Sequence, residues 1–413
     1  MEHELQADTG AGRRLVALAE ELASDFATRA GEHDREGSFP AENIDALRAS
    51  GYLAAPVPRG CGGMGVETVR DVLVASSRLA RGDGSTTIGV NMHLNVTMGL
   101  RRSYERAMAN GNGSRAAGIA ATFQAIARGE VVIASLSTEP GRELTEPATR
   151  ATRTTEGWSI SGKKTFATMS EAATHLVVTV SWNDDNGDER VSFVQVPANE
   201  PGVTLNHDWD AMGMRASGSG SVSFDDIAVA EGRLVGGFPI GTWSTGLMER
   251  FLSAGLVHAS PYLGIAEAAA ELGLAMAAKA KKGRNGRAMA DRPMIQLLAA
   301  ENAVDLAAMR GIFDRATRLV DQYFATHVAC ADYDDVLIAF KEAQCAKTFL
   351  NAAAVRVVDR SLTLSGGAGY MSRHPLSRLY RDVRAGAFMN PLAANTAHEF
   401  IGRVELGLEP DAA

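Results

Sequence analysis

Apolar and polar positions alternate along the chain in three regimes. From Leu15 to about Ala30, apolar residues recur at helical spacing (Leu15, Leu18, Leu22, Phe26) with Asp, Glu and Arg between them. A second helix is predicted from Ala41 to Ser50, after Phe39 and Pro40, where a proline suits a helix start. Residues 51–66, GYLAAPVPRGCGGMGV, hold two prolines and five glycines and read as a loop. Helices follow at Glu67–Arg81, ending at Gly82, and at Ser85–Ala109, broken by NGNGS. Another spans Arg115–Arg128 and closes at Gly129.

The period changes at Val131. VVIASLS, then the alternating stretch up to Met169 with a turn at Glu156-Gly157, read as strands. LVVTVSW, NDDNGDE and RVSFVQVPA predict a hairpin turning at Asn186-Gly187. GVTLNHDW and SGSVSFDDIAV add further strands. Helical spacing returns over Ser244–Lys282, Pro293–His327, Asp334–Leu364 and Ala393–Leu406, enough for a bundle. The expected organisation is α+β: a helical domain over 1–130, a β domain over 131–233 and a helical bundle over 234–413.

Composition narrows the function classes. The chain has 413 residues, 46% hydrophobic and 22% charged, ordinary for a globular protein. A net charge of -8 argues against a nucleic-acid partner, which needs clustered Lys and Arg. No apolar run approaches the roughly 18 residues of a membrane span, and MEHELQADTG has no secretory or transit pattern, so a cytoplasmic location is expected. Cys61, Cys330 and Cys345 form neither a disulfide framework nor a zinc set. The acidic run at 183–189 reads as a solvated hairpin tip, so no metal is expected.

Four segments, in this order, resemble the acyl-CoA dehydrogenase family of flavoproteins: LRASGYLAAPVPRGCGGMG, SLSTEPG (135–141), SGKKTFATM (161–169) with DAMGMRASGSGSVSFDDIAV (210–229), and LSGGAGYMSRHPLSRLYRDVR (364–384). The resemblance implies an N-terminal all-α domain, a middle β-barrel-like domain and a C-terminal four-helix bundle. It further implies FAD and a homotetramer or homodimer. A flavin ring needs hydrogen-bond donors at its pyrimidine edge, a flat apolar surface and shielding from water. Taken alone, Thr138 and Thr168 read as plain strand residues, and Phe166 as core; the resemblance makes all three flavin contacts. It also places Arg215 near flavin and substrate, or as a bridge between domains. Gly366 and Gly367 fall at a pyrophosphate approach that doubles as a helix C-cap. Two departures favour FMN as an alternative: Thr363 stands where the family has Gln, and KKGRNGRAMADRP replaces its Arg-x-Gln-Phe-Gly, with Arg284 or Arg287 as substitutes.

Desaturation of an acyl thioester needs a base for the α-proton, and a desolvated carboxylate suits it. At the family's usual position this chain has Asn390, which is not basic. A subset similar to isovaleryl- and long-chain acyl-CoA dehydrogenases carries the base in a Leu-x-x-Glu-Arg pattern; this chain reads GLMERFLSAG there, with Glu249 as the candidate base and Arg250 as its charge balance. The plain alternative is a surface ion pair. The expected electron partner is then an electron-transfer flavoprotein. A rival reading is a reduced-flavin monooxygenase of the same fold, similar to dibenzothiophene and hydroxyphenylacetate oxygenases. These are served by a flavin reductase and need no such base. Met389-Asn390-Pro391, the segment NHDWDAMG and His93 lean that way, with His93 and Asn390 at the substrate, though His93 also reads as a satisfied core residue. A non-redox flavin or acyl-CoA binder is the third reading.

Overall fold

The computed structural model describes residues 4–410 apart from 283 and 285. The N-terminal part contains α1 (Gly10–Phe26), α2 (Ala30–Glu36), α3 (Ala41–Ala49), α4 (Val69–Ala80), α5 (Gly84–Ala109) and α6 (Gly113–Ala127). Side-chain caps start several of them: Thr9 accepts from Gly12 N, Thr68 from Asp71 N, and Asp83 from Ser85 and Thr86 N. Every residue of α4 is buried, and α1, α5 and a later helix, Ala254–Lys279, all pack on it.

The middle part is a curled sheet of β1 (Ile133–Leu136), β2 (Arg150–Arg153), β3 (Gly157–Lys164), β4 (His175–Asn183), β5 (Glu189–Pro197), β6 (Val203–Leu205), β7 (Val222–Ala230) and β8 (Val235–Pro239). The strand order is β6-β7-β3-β2-β4-β5-β8, with β1 parallel to β4. Side chains alternate, so Leu176, Val178 and Val180 of β4 enter the sheet's own core with Leu136, Val194 and Phe224. Val177 and Phe193 face the other way and join the helical core. The sheet thus takes one strand beyond the expected boundary at 233.

The C-terminal part holds α7 (Thr245–Phe251), α8 (Ala254–Lys279), a short hairpin of β9 (Lys281–Lys282) and β10 (Arg287–Ala288), α9 (Pro293–Thr326), α10 (Tyr333–Ser365), α11 (Pro375–Asp382) and α12 (Ala394–Glu405). The continuous helix expected over Ser244–Lys282 is two helices, broken at Leu252 and Ser253. Both flanks keep their apolar phase, which hides the break from a periodicity reading. Pro261 lies inside α8. Its missing N–H would orphan the Val257 carbonyl, but Asn91 Nδ2 of α5 donates there at 2.7 Å.

Close helix contact is made by glycine. A Cβ on Gly264 would stand 1.9 Å from the Ser77 carbonyl oxygen of α4. Gly264→Ala must therefore push α8 off α4. A loss of roughly 1–3 kcal/mol is expected in denaturant unfolding, and an unchanged midpoint would contradict that packing. Among the described residues, no helix is long and apolar enough to cross a membrane, and no group of three or more His, Cys, Asp or Glu is placed to hold a metal.

Candidate active site

Four loops converge where the sheet rim meets the C-terminal helices. The first follows β1 and carries Thr138-Glu139. Glu139 is buried and accepts from Ala148 N (2.5 Å), Thr149 N (2.8 Å), Thr149 Oγ1 (2.6 Å) and Lys164 Nζ (2.5 Å). Burial works to raise its carboxyl, but the Lys164 ammonium and the Thr149 donors outweigh burial and hold it below its ordinary value. This acid is consequently a brace between β1 and β3, with no oxygen left for a ligand.

The second loop leaves β3. Thr165 N donates to Thr138 O at 2.9 Å, which sets the two loops side by side. Phe166 and Met169 both adopt left-handed backbone, at φ 51 and 66. Such conformations cost free energy in non-glycine residues, and here Ala167 N→Gly220 O (3.0 Å) and Met169 N→Ser217 O (3.1 Å) hold them. The result turns Phe166 outward, 54% exposed. Its ring meets Trp209 of the third loop edge-on at 5.7 Å, and Trp209 Nε1 donates to Met214 O at 3.0 Å. Thr168, Ser219 and Ser217 form a hydroxyl chain behind it, at 2.9 and 2.6 Å.

The fourth loop follows α11. Asp382 accepts from Met214 N at 2.6 Å, tying this loop to the third. Asn390 then reaches across and donates from Nδ2 to Thr138 Oγ1 at 2.8 Å. Thr138, Phe166 and Asn390 are therefore brought together, with Thr168 just behind. Phe388, 70% exposed, stands two residues before Asn390.

Other expected site residues lie elsewhere. His93 is fully buried; its Nε2 faces Leu53 O at 3.1 Å, and its Nδ1 accepts from Ile133 N at 3.1 Å. Burial pushes it down to about 4, so it is a neutral core residue. The expectation of a substrate-facing His93 is corrected on this point, since both ring nitrogens are used by the backbone. Glu249 pairs with Arg106 of α5 through both oxygens, each at 2.7 Å. Arg250 does not balance that charge; its guanidinium lies over the Phe193 ring, 3.6 Å from the centroid. Arg215 donates to Asp34 O (2.7 Å) and Ala211 O (3.2 Å), linking the third loop to α2. Gly366 and Gly367 end α10. They lie 15 and 16 positions beyond Asn351 of that helix, where Gly366 caps its C-terminus. Arg287 donates to its own loop at Asp291 O (2.9 Å). Within KKGRNGRAMADRP, Gly283 and Asn285 lie outside the described residues.

Sequence reasoning missed three groups: the Glu139–Lys164 brace, Arg106, and the buried Lys347. Lys347 had a readable signal. It falls on the apolar phase of α10 with Phe340, Ala343, Leu350 and Ala354, where a lysine needs a partner. Burial pushes it from the usual 10.5 down to about 7. Between those values the unfolded chain holds a proton that the folded chain has released, so stability rises with pH across this window and falls as pH is lowered from 10.5 to about 7. The expected result is a thermal midpoint that climbs from pH 7 to 10 relative to Lys347→Met. Parallel curves would contradict it.

Residues 12–103, 134–227 and 256–390 match the family models for the N-terminal, middle and C-terminal domains of acyl-CoA dehydrogenase. The amino sugar nitrososynthase RubN8 of Streptomyces rubradiris is 33% identical over 405 residues, covering 98% of this chain and 92% of that protein. The putative acyl-CoA dehydrogenase YdbM of Bacillus subtilis (strain 168) is 30% identical, covering 92% of this chain and 93% of that protein. The solved structure of KijD3 in complex with FMN and dTDP-3-amino-2,3,6-trideoxy-4-keto-3-methyl-D-glucose superposes with a TM-score of 0.88, at 28% identity over 98% of this chain and 96% of that one.

Proposed function

We propose, for a chain that belongs to the acyl-CoA dehydrogenase family, that it is a reduced-flavin-dependent oxygenase acting on the amino group of a nucleotide-linked sugar. One observation carries this choice over desaturation. Neither position that the family uses for its base offers a free carboxylate here: residue 390 is an amide, and both oxygens of Glu249 are held by Arg106. A carboxylate clamped on both oxygens by one guanidinium has to give up a charge-assisted contact before it can take an α-proton. The kinship with an amino sugar nitrososynthase supports the same choice.

The residues present fit a flavin. Phe166 and Phe388 offer exposed aromatic surface close in sequence to the Thr138–Asn390 contact, Phe166 next to Thr165, whose N donates to Thr138 O, and Phe388 two residues before Asn390. A side chain exposed at 54% beside hydroxyl donors is what a flat ring with an accepting edge would cover. When bound, the flavin supplies the electrons that activate dioxygen. This chain's own part is orientation. Because Asn390 Nδ2 donates to Thr138 Oγ1, the Thr138 hydroxyl proton is left to point at a second acceptor, the flavin edge. Thr168, fixed by Ser219 and Ser217, backs the same loop. Phe166 and Phe388 exclude water from the ring. FMN is the better match than FAD, because Thr363 and KKGRNGRAMADRP replace the family's dinucleotide-holding residues and Arg287 is engaged in its own loop. A flavin reductase is the partner that serves such a site. A second copy of the chain would cover the exposed Met294, Leu297 and Val304 of α9, in keeping with a homo-oligomer.

The test uses Glu249→Gln. With FMN, a flavin reductase, NADH, air and a dTDP-linked amino sugar, the variant should turn over within about fivefold of the unmodified protein, since the two contacts to Arg106 that it weakens lie outside the chemistry. A loss beyond about a hundredfold would make Glu249 a participant in the oxygenation, and an unmodified protein that leaves the amine untouched while an acyl-CoA bleaches its flavin would return the reading to desaturation.

A further inference from the structure

We propose that Lys347 is a positioning residue for this site: together with His258 and Asn351 it holds the 386–392 loop by its carbonyls, and so fixes the direction in which the Thr138 hydroxyl donates. The inference rests on the reading that Thr138 and Asn390 face the flavin.

The loop is held from one side. Lys347 Nζ donates to Met389 O and to Leu392 O, the carbonyls that flank Asn390 and Pro391. His258 Nδ1 meets Asn390 O at 2.8 Å. A carbonyl only accepts, so that nitrogen carries the proton. Asn351 Nδ2 donates to Gly386 O at 2.7 Å. Four carbonyls of a seven-residue segment thus turn toward α8 and α10. With its backbone fixed this way, the segment sends the Asn390 side chain across to Thr138.

Packing anchors only part of the segment: Leu392 belongs to the helical core and Met389 packs against it. A cavity of about 300 Å³ lies behind the loop, lined by Lys347, Asn351, Arg384, Gly386, Leu392 and His398. On that side the loop is held by side-chain donors to its carbonyls. Lys347 is 2% exposed, and no carboxylate lies within 4.0 Å of its ammonium among the described residues. Its polar partners are the two carbonyls. A buried lysine spent on two loop carbonyls, with no ion pair to serve, is a group whose role is the loop.

The chain of effects is directional. Losing Lys347 frees Met389 and Leu392; the Asn390 amide then no longer holds one orientation; the Thr138 hydroxyl is free to turn back toward Asn390. A structural role alone would lower stability without passing through Asn390. A double-mutant cycle separates the two.

The experiment measures the dissociation constant of FMN by fluorescence quenching, and the visible band of bound FMN, for the unmodified protein, Lys347→Met, Asn390→Ala and the double variant. Each single change is expected to weaken FMN about tenfold and to move the bound spectrum toward that of free FMN. The double variant should match Asn390→Ala within about twofold. Effects that multiply, or a Lys347→Met spectrum equal to the unmodified one, overturn the proposal. Should Lys347→Met yield no folded protein, His258→Leu in the same cycle gives the same decision, since it removes a donor to Asn390 O. Failure of the unmodified protein to quench FMN would instead remove the flavin reading on which the proposal stands.

Discussion

Glu139→Gln is expected to cost roughly 3–5 kcal/mol of folding stability, the range for removing one partner of a buried ion pair. The carboxylate is not a surface acid with an optional contact. It takes four donors at once, from Ala148, Thr149 twice and Lys164. The amide cannot accept from all four, because one of its heavy atoms is itself a donor. It would also leave the Lys164 ammonium, wholly buried, without its counter-charge. Lys164→Met strands the Glu139 carboxylate instead, but leaves it three donors, so it should cost less than Glu139→Gln. Chemical denaturation of the two variants checks the order, and a Glu139→Gln protein within about 1 kcal/mol of the unmodified one would deny the brace.

Phe166→Ala should act on the ligand and leave the fold alone. The side chain is more than half exposed, so its removal takes little from the core, within about 0.5 kcal/mol. Aromatic anchors at binding sites are worth about 2 kcal/mol when truncated, which corresponds to roughly 30-fold in affinity. FMN titration should show that loss at an unchanged thermal midpoint. Equal affinities would mean that the exposed ring is not the surface the flavin covers.

Much of the architecture was legible because each regime of spacing is long. Helical periodicity located α1, α4 and α5, and Asn186-Gly187 located the β4–β5 turn. What the spacing cannot carry is contact between distant segments. Thr138 and Asn390 are 252 positions apart, and Arg106 and Glu249 are 143 apart. The Glu-Arg pair singled out Glu249, yet the arginine that pairs with it, Arg106, comes from α5 rather than from its neighbour Arg250. His93 shows the reverse case. Its place on an apolar helix already favoured a core role, and the two backbone partners make that role specific. Lys347 was open to view as a charge on an apolar phase, but only the fold reveals that its partners are the carbonyls around Asn390.

The choice between oxygenation and desaturation is tested most directly in a sealed cuvette. The flavin-loaded protein is mixed without oxygen with a panel of acyl-CoA thioesters, and the visible absorbance is followed. In parallel, the same protein is given a reductase, NADH, air and a dTDP-linked amino sugar. The account predicts that no thioester bleaches the flavin and that the sugar's amine is oxidised only when reductase and oxygen are both supplied. Rapid anaerobic bleaching by any acyl-CoA would contradict it, because some group of this chain would then have to be taking the α-proton.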